Sequence, residues 1–241
     1  MKVSVVVPAF NEEKLLPGSL ARIVAGLTAF SERGWATELI VCDNNSTDRT
    51  PDIARAVGAR VVFEPVNQIG RARNAGARAA TGDWLIFIDA DSYPPRRLLE
   101  DVAAAIASGS VLAGGSTLAL DAPSGPAVLV THAWNVVSRL TRWAAGSFMF
   151  CEAAAFHEIG GFNPELYASE ELDLFRRLHS LARRRRRRVV ILHRHPLVTS
   201  ARKLHLYSLR EHLGFLFRFL LQPAHTVRNP ERCHTWYDGR R

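Results

Sequence analysis

Residues 84–91 read WLIFIDAD, an apolar run that ends in two aspartates, Asp89 and Asp91, on either side of Ala90. The unbroken run predicts a strand covered on both faces, because a half-solvated strand would alternate apolar and polar residues. Side chains two apart in an extended chain point to the same side, so the two carboxylates converge. Paired carboxylates favour a hard divalent cation, Mg²⁺ or Mn²⁺. The alternative is that Asp91 only caps the following turn.

Other short apolar stretches alternate with helix-patterned ones upstream of this run. The predicted strands are residues 3–7, 38–42, 60–63 and 84–88, and the predicted helices lie near residues 18–33, 51–57, 70–80 and 96–108. This β-α-β-α rhythm predicts an α/β fold with a mostly parallel sheet flanked by helices. Ligands of such sheets bind beyond the carboxyl ends of the strands, so the residues after each strand are the candidates for function.

The rhythm changes in the second half of the chain. There the pattern predicts strands at residues 111–120, 148–154 and 189–193, and helices near residues 127–145 and 170–183. We therefore expect a single domain over residues 1–200. Residues 201–241 form a predicted tail whose apolar stretch 207–221 is interrupted by charges, a pattern typical of an amphipathic helix that lies on a membrane surface.

The charge balance is basic, with 31 Lys and Arg against 23 Asp and Glu and a net charge of +8. Such a chain favours phosphate groups, whether in nucleic acid, in anionic lipid or in a nucleotide substrate. Six consecutive arginines at residues 183–188 indicate a solvated loop or a contact with anionic lipid.

Three features of the sequence indicate the cellular compartment of the protein: the start of the chain, its apolar runs and its cysteines. The chain opens on a strand pattern and contains no run of the roughly 20 apolar residues that a membrane span requires. Its three cysteines are widely spaced, which indicates free thiols in a reducing compartment. We expect a cytoplasmic protein that is peripheral on the cytosolic face of the membrane.

Polar residues follow the first two predicted strands. The first strand runs into Pro8, Ala9, Asn11 and Glu12, and the second runs into Asp43, Asn45 and further turn formers. Most of them fit a plain strand-to-helix turn, but the Asp43 carboxylate can accept hydrogen bonds from a base or a ribose. With the 89–91 turn, three loops gather at one edge of the sheet.

Basic side chains at two further places suit a phosphate group. Arg71, Asn74 and Arg78 share one face of a predicted helix, and an arginine near a helix N-terminus can bind phosphate. A solvated basic face is the alternative. From the tail side, Arg202 and Lys203 can close on a diphosphate.

Two glutamates open the last predicted helix. Either Glu170 or Glu171 can act as a general base that deprotonates an acceptor hydroxyl. The alternative is structural, with Ser169 as the helix cap and the acidic residues stabilising the positive end of the helix. On the local sequence alone, the cap is the favoured interpretation.

No single motif identifies a protein family, but the order of these motifs along the chain resembles that of a known family. VSVVVPAFNEE, IVCDNNSTDRT, GRARNAGARAATGDWLIFIDAD and FHEIGGFNPELYASEELDLFRRL follow one another between roughly residues 3 and 180. This succession resembles the family 2 glycosyltransferases of GT-A-type fold. The resemblance implies a Rossmann-like, mostly parallel sheet and a metal-dependent enzyme that inverts the anomeric carbon in a single displacement.

The resemblance also implies roles for the motifs. Asp91 would be the principal ligand of a Mn²⁺ or Mg²⁺ that bridges the donor diphosphate, with Asp89 near the ribose and the metal. Glu171 stands where the family usually has an aspartate base, and Glu170 precedes it. The residues predicted to bind the donor are Pro8, Ala9, Asn11, Glu12, Asp43, Asn45, Arg71, Asn74, Asp89, Ala90 and Arg202.

The predicted reaction moves a sugar from a UDP-, GDP- or dTDP-sugar to a saccharide hydroxyl or a lipid phosphate, as in cell-envelope assembly, with no nucleic-acid partner. The Gln-x-x-Arg-Trp motif of processive family members is absent, which disfavours a polysaccharide synthase. Two alternatives stay open. A sugar-nucleotide pyrophosphorylase would normally show a Gly-rich loop where this chain has PAFNEE. A non-catalytic nucleic-acid-binding module would have no use for both Asp89 and Asp91.

Overall fold

A computed structural model describes residues 1–122 and 125–202, and their helices and strands follow one another in α/β order. The strands are β1 (Lys2–Ala9), β2 (Ala36–Asp43), β3 (Arg60–Phe63), β4 (Trp84–Ile88), β5 (Ser92–Tyr93), β6 (Val111–Leu120), β7 (Phe148–Glu152) and β8 (Arg188–Thr199). The helices are α1 (Leu16–Gly26), α2 (Thr28–Ser31), α3 (Thr50–Ala56), α4 (Ile69–Ala79), α5 (Arg96–Ala107), α6 (Gly125–Thr141), α7 (Ala153–Glu158) and α8 (Glu170–Arg184).

These eight strands form one sheet in the order β3-β2-β1-β4-β7-β6-β8-β5. Parallel pairs join β1 to β2 and β4, β2 to β3, and β6 to β8. Antiparallel pairs place β7 between β4 and β6, and β5 against β8. The predicted α/β fold with a mostly parallel sheet is confirmed.

The sheet grows in opposite directions from β1. β2 and β3 add on one side of β1, and β4 adds on the other. Where connections leave a parallel sheet in opposite directions, a crevice opens at the carboxyl ends of the strands, and ligands bind there. These ends are Ala9 of β1 and Ile88 of β4, so residues 8–12 and residues 89–91 flank the crevice.

The central strands are buried on both faces, as their unbroken apolar runs predict. Val3, Val5 and Val7 of β1 pack into one core layer with α1, α2 and α5, whereas Val6 packs into a second layer with α7 and α8. The side chains of β4 divide between the two layers in the same way. Hydrophobic burial on both faces therefore fixes the two strands that carry the crevice.

Several helix and strand bounds predicted from the local sequence differ from the observed ones. The predicted helix 18–33 is divided into α1 and α2, and the predicted strand 148–154 ends at Glu152 because the helix-forming run at Ala153 begins α7. β8 continues beyond the predicted 189–193 to Thr199, because β6 and the short β5 both pair with its second half. Pairing with a strand that is distant in sequence produces no alternation of apolar and polar residues within the strand, so the sequence of β8 did not reveal its full length.

The predicted amphipathic helix at residues 207–221 lies outside the described residues. The boundary between a domain of residues 1–200 and a tail of residues 201–241 stays a prediction. Among the helices of residues 1–122 and 125–202, none has both the length and the apolar character that crossing a membrane requires.

The tight packing of Gly76 in α4 against Val6 of β1 gives a stability prediction. A Cβ added at Gly76 would lie 2.4 Å from Cγ1 of the fully buried Val6. Gly76→Ala gains about 1 kcal/mol of helix propensity, but overpacking at Val6 costs about 1–3 kcal/mol. We expect urea unfolding to show a net loss of up to about 2 kcal/mol. Gly125→Ala is the control, since its Cβ meets no atom within 4 Å, and equal effects would contradict the packing argument.

Candidate active site

Asp89 and Asp91 lie at the carboxyl end of β4 and are fixed by backbone contacts. The Asp89 N–H donates to the Ser147 carbonyl at 3.1 Å, and the Ser200 N–H donates to the Asp91 carbonyl at 3.1 Å. Both aspartates line a cavity of about 320 Å³, a volume in the range of small-molecule sites. The predicted pair of carboxylates thus lines one cavity.

The N-terminus of α8 forms the opposite wall. Glu170 and Glu171 line the same cavity as the two aspartates, as do Tyr167, Ala168, Thr199 and Ser200. Ser169 precedes them with a left-handed φ of 61°, and its side chain makes no capping hydrogen bond. The interpretation of Ser169 as a side-chain cap is therefore wrong, and the two glutamates face a cavity.

A buried arginine joins the two acidic pairs. Arg73 is 1% exposed; its Nη1 donates to Glu170 Oε1 at 2.8 Å, and its Nη2 donates to Asp89 Oδ1 at 2.9 Å and to the Gly146 carbonyl at 2.8 Å. Burial alone would lower the pKa of Arg73, but the carboxylates, Asp89 first, raise it. A buried guanidinium is tolerated only with such partners, so the charge of Arg73 holds the two walls together.

Sequence reasoning selected Arg71 and Asn74 from this helix and missed Arg73. The available signal is the position of Arg73 between Gly70 and Gly76, three residues away on either side. Small residues at that spacing mark the face of α4 that packs closely on the sheet, and Arg73 lies on that buried face. An arginine among small residues on a buried helix face indicates a buried ion pair.

The two glutamates differ in their electrostatic environment. Burial first, and then the negative charge of Glu170, raise the pKa of Glu171 well above its ordinary value of 4.5, while Arg73 acts in the opposite direction. Glu170 is ion-paired with Arg73 at 2.8 Å. Glu170 is thus engaged as a partner of Arg73, whereas Glu171 has the raised pKa that suits a general base working near neutral pH.

The loops after β1 and β2 are bound to each other. Ala9 and Asp43 are register partners at the ends of these strands. Asn11 adopts a φ of 51°, and its Oδ1 accepts a hydrogen bond from the Thr47 N–H at 2.8 Å. Asp43 Oδ1 accepts one from the Ser46 N–H at 3.0 Å. The two loops therefore form one connected rim beside the crevice.

Several predicted donor residues lie along this edge but outside the lining of the 320 Å³ cavity. Pro8 and Ala9 are buried in β1, Ala90 is buried below the aspartates, and Asn45 is exposed with a φ of 68°. Arg71 is exposed, and its Nε donates to Gln68 Oε1 at 3.0 Å. Asn74 exchanges two hydrogen bonds with the Phe162 backbone at 2.8 and 2.9 Å, so this side chain anchors the segment before α8.

Arg202 connects the first loop to the aspartates. Its Nη2 lies 2.7 Å from Glu12 Oε1 and 3.6 Å from Asp91 Oδ2. Burial would lower the pKa of Arg202, but Glu12 and Asp91 raise it. A cation therefore already lies at the crevice side of Asp91, where a diphosphate would also need positive charge.

The donor set of Asp89 and Asp91 fits a divalent cation that also binds substrate. Within residues 1–122 and 125–202, no group of three or more His, Cys, Asp or Glu side chains is placed to hold a metal. Mg²⁺ is usually bound by one or two carboxylates together with substrate phosphates and waters, and not by a cage of protein ligands alone. Two carboxylates lining one cavity have the chemistry that the protein part of such a site requires.

Comparison with known proteins agrees with this geometry. A model of the family described as Glycosyl transferase family 2 matches residues 4–159. An uncharacterized glycosyltransferase of Mycobacterium tuberculosis is 41% identical over 113 residues, which are 47% of this chain and 47% of the relative. The chain thus aligns with about half the length of that curated relative.

Two solved structures share the fold. Staphylococcus aureus TarS 1–349 in complex with UDP-GlcNAc has a TM-score of 0.67 and 19% identity, with 98% of this chain and 69% of that chain covered. A mannosyltransferase of Pyrobaculum calidifontis in complex with GDP-Man and Mn²⁺ has a TM-score of 0.66 and 20% identity, with 95% and 66% covered. At these identities the likeness establishes the fold, which is the predicted GT-A type.

The ion pairs of Arg73 predict a large stability difference between neighbouring arginines. Arg73→Gln leaves Glu170 and Asp89 facing each other without their shared cation, so we expect a loss of about 3–5 kcal/mol in the free energy of unfolding. Arg71→Gln, on the exposed side of the same helix, should change it by about 0.5 kcal/mol or less. Urea unfolding of both variants measures the difference, and equal losses would show that Arg73 does not hold the two walls together.

The raised pKa of Glu171 predicts a pH-dependent stability term. Between the ordinary pKa and the raised folded pKa, the native protein binds the Glu171 proton more tightly than the unfolded chain does. The contribution of Glu171 to the free energy of unfolding therefore falls as the pH rises through that interval, and is constant outside it. Glu171→Gln removes this term. Urea midpoints of wild type and variant, measured from acid to mildly alkaline pH, should diverge, and parallel profiles would contradict the assignment.

Proposed function

Because this chain belongs to glycosyl transferase family 2, we propose that it transfers a sugar from a nucleoside-diphosphate sugar to an acceptor oxygen, with a divalent metal and with inversion at the anomeric carbon. The observation that carries the proposal is the meeting of two acidic pairs in one cavity at the carboxyl end of β4. Asp89 and Asp91 provide the ligands for a metal, and Glu170 and Glu171 provide a base on the opposite wall.

The proposed reaction is one displacement. The acceptor oxygen forms a bond to the anomeric carbon while the bond from that carbon to the diphosphate oxygen breaks, and the nucleoside diphosphate leaves with the electron pair. Attack from the side opposite the leaving group inverts the anomeric configuration. A bound Mg²⁺ or Mn²⁺ supplies positive charge that offsets the charge developing on the diphosphate.

We assign the base to Glu171. The proton of an acceptor hydroxyl passes to a carboxylate oxygen of Glu171, whose raised pKa makes it a better proton acceptor than an ordinary glutamate. Glu170 serves as a positioning residue, since its carboxylate is engaged by Arg73. A lipid phosphate acceptor is already an anion, and its attack would require no base.

The donor would extend from the cavity along the sheet edge. Residues 8–12, Asp43 and Asn45 would contact the nucleotide, with Ala90 beneath it, and Arg71 and Asn74 would lie near the donor at the start of α4. Arg202 would shift from Glu12 and Asp91 toward the diphosphate. The related structures contain UDP-GlcNAc and GDP-Man, which motivates UDP- and GDP-sugars, with dTDP-sugars beside them, as donors. We propose a saccharide or lipid acceptor and a peripheral place on the cytosolic membrane face.

Metal-dependent nucleotide binding tests the proposal without knowledge of the acceptor. UDP, GDP or dTDP, supplied with Mn²⁺ at about 100 times its Kd, should stabilise the wild type by about 2.7 kcal/mol, which raises the Tm by roughly 5–10 °C. Asp91→Asn should lose the metal-dependent part of this shift. Asp52→Asn, at an exposed carboxylate paired with Arg55, should keep it. If no nucleotide raises the Tm, or if Mn²⁺ makes no difference, the proposed function is wrong.

A further inference from the structure

The helix α6 exposes most of its apolar side chains, whereas two of its polar side chains face the protein. Asn135 exchanges two hydrogen bonds of 2.8 Å with the backbone of Leu118 in β6, and Ser138 Oγ donates to the Trp143 carbonyl at 2.6 Å. On the outer side, Leu129 is 72% exposed and Leu140 is 80% exposed. An ordinary surface helix turns its apolar stripe towards the core, whereas these leucines of α6 face outward.

The exposed apolar side chains form one continuous face, which we call the outer stripe. It consists of Leu129, Ala133, Val136, Val137 and Leu140, at spacings of three and four residues. Such spacing places all of them on one side of a helix. Isolated exposed apolar residues are common in proteins, but a contiguous face of this kind marks an interaction surface.

A strongly basic groove borders the end of the outer stripe. Its cavity of about 580 Å³ has an apolar end at Leu140 and Trp143, and its other walls come from α8 and the start of β8. Its charged lining consists of Arg142, Arg176, Arg183, Arg187 and Arg188, with His179 between them. We call these residues the basic groove.

The structure divides the arginine run at residues 183–188 between elements. Arg183 and Arg184 end α8, and Arg188 begins β8. Arg185 and Arg187 contact Glu152 at 3.4 and 2.7 Å. The predicted loop is therefore wrong for both ends of the run, which belong to α8 and β8, although all of its arginines except Arg187 are exposed.

Three arginines of the basic groove keep their charge unbalanced. In the part of the chain that the structure describes, Arg142, Arg183 and Arg188 have no carboxylate within 4.0 Å, whereas Arg176 contacts Asp173 at 2.9 Å. Burial first, and also the charges of Arg183 and Arg142, lower the pKa of His179 between them. The groove thus presents net positive charge beside an uncovered apolar face.

Charge decides which partner can cover this surface. A second copy docked through the same face would bring its own groove arginines against these, and like charges across an interface are unfavourable. The segment 203–241 of this chain is itself basic, with seven Lys and Arg against three Asp and Glu. A partner that is apolar inside and anionic at its surface satisfies both features, and this describes an anionic lipid membrane.

We propose that the outer stripe and the basic groove together dock this protein on an anionic lipid surface. α6 lies in the plane of the membrane, and the stripe enters the boundary between headgroups and acyl chains. Arg142 and Arg183 contact the lipid phosphates. The sequence already suggested membrane contact by the tail and the arginine run, but it did not indicate the outer stripe of α6. The docking surface goes beyond the transfer reaction.

Vesicle co-sedimentation of the full chain tests the docking surface. The vesicles are phosphatidylcholine alone and phosphatidylcholine mixed with an equal amount of phosphatidylglycerol, at low salt. We expect the wild type to bind the mixed vesicles. The double variant Leu129→Gln with Leu140→Gln should bind them about tenfold more weakly or worse, because two leucines leave the apolar contact. Arg142→Gln with Arg183→Gln should lower binding to mixed vesicles by about tenfold at low salt and remove most of its salt dependence.

Matched control variants change exposed residues on or next to α1, α2 and α3. Val24→Gln with Val57→Gln changes two exposed apolar residues near α1 and α3, and Arg22→Gln with Arg33→Gln changes two exposed arginines near α1 and α2. Both controls should bind mixed vesicles as the wild type does. If the control variants lose vesicle binding as strongly as the test variants do, the proposal is wrong. It is also wrong if the wild type binds neither kind of vesicle.

Two further readouts identify a different occupant of the surface. If the stripe variant keeps lipid binding but dissociates a dimer in gel filtration, a second copy covers the stripe and the proposal is wrong. The proposal is also wrong if the stripe variant keeps lipid binding while residues after 202 become sensitive to protease. The tail of this chain would then be what covers the outer stripe. All these variants should retain the metal-dependent nucleotide shift, so failure here is distinct from failure of the proposed function.

Discussion

The guanidinium of Arg73 is the group on which the cavity depends. Its two Nη atoms contact Glu170, Asp89 and the Gly146 carbonyl, so α4, the end of β4, the segment before β7 and the start of α8 meet at a single buried charge. Without it, two acidic pairs that face one cavity would repel each other in a medium of low polarity. Charge balance at Arg73 therefore fixes where α8 begins relative to the sheet.

Features that depend on neighbouring residues were accessible from the sequence. An unbroken apolar run of strand length has few interpretations other than a strand buried on both faces, and the predicted bounds of β3, β4 and β6 coincide with the observed ones. The convergence of Asp89 and Asp91 follows from the same local geometry, since a spacing of two at a strand end needs no knowledge of the rest of the fold. The order of the motifs then led to the family.

Features that depend on distant residues were not accessible. Arg73 and Glu170 are 97 residues apart, and the sequence around either residue does not indicate that the two form an ion pair. Local rules favoured a side-chain cap at Ser169, whereas its left-handed backbone aims the next two residues at the cavity. The exposure of the outer stripe of α6 is visible only once the polar contacts of the helix with β6 are known. In each case long-range packing overrides a local preference.

The strand order also bears on how the protein is made. β6 lies between β7 and β8, so its outer edge stays open until Arg188–Thr199 has left the ribosome. The family match ends at residue 159, before Glu170 and before β8. A chain interrupted there would have both aspartates, an unpaired strand edge and a buried arginine without one of its partners. Open edges template pairing with other chains, so an incomplete chain is prone to aggregate, and synthesis of β8 ends that exposure.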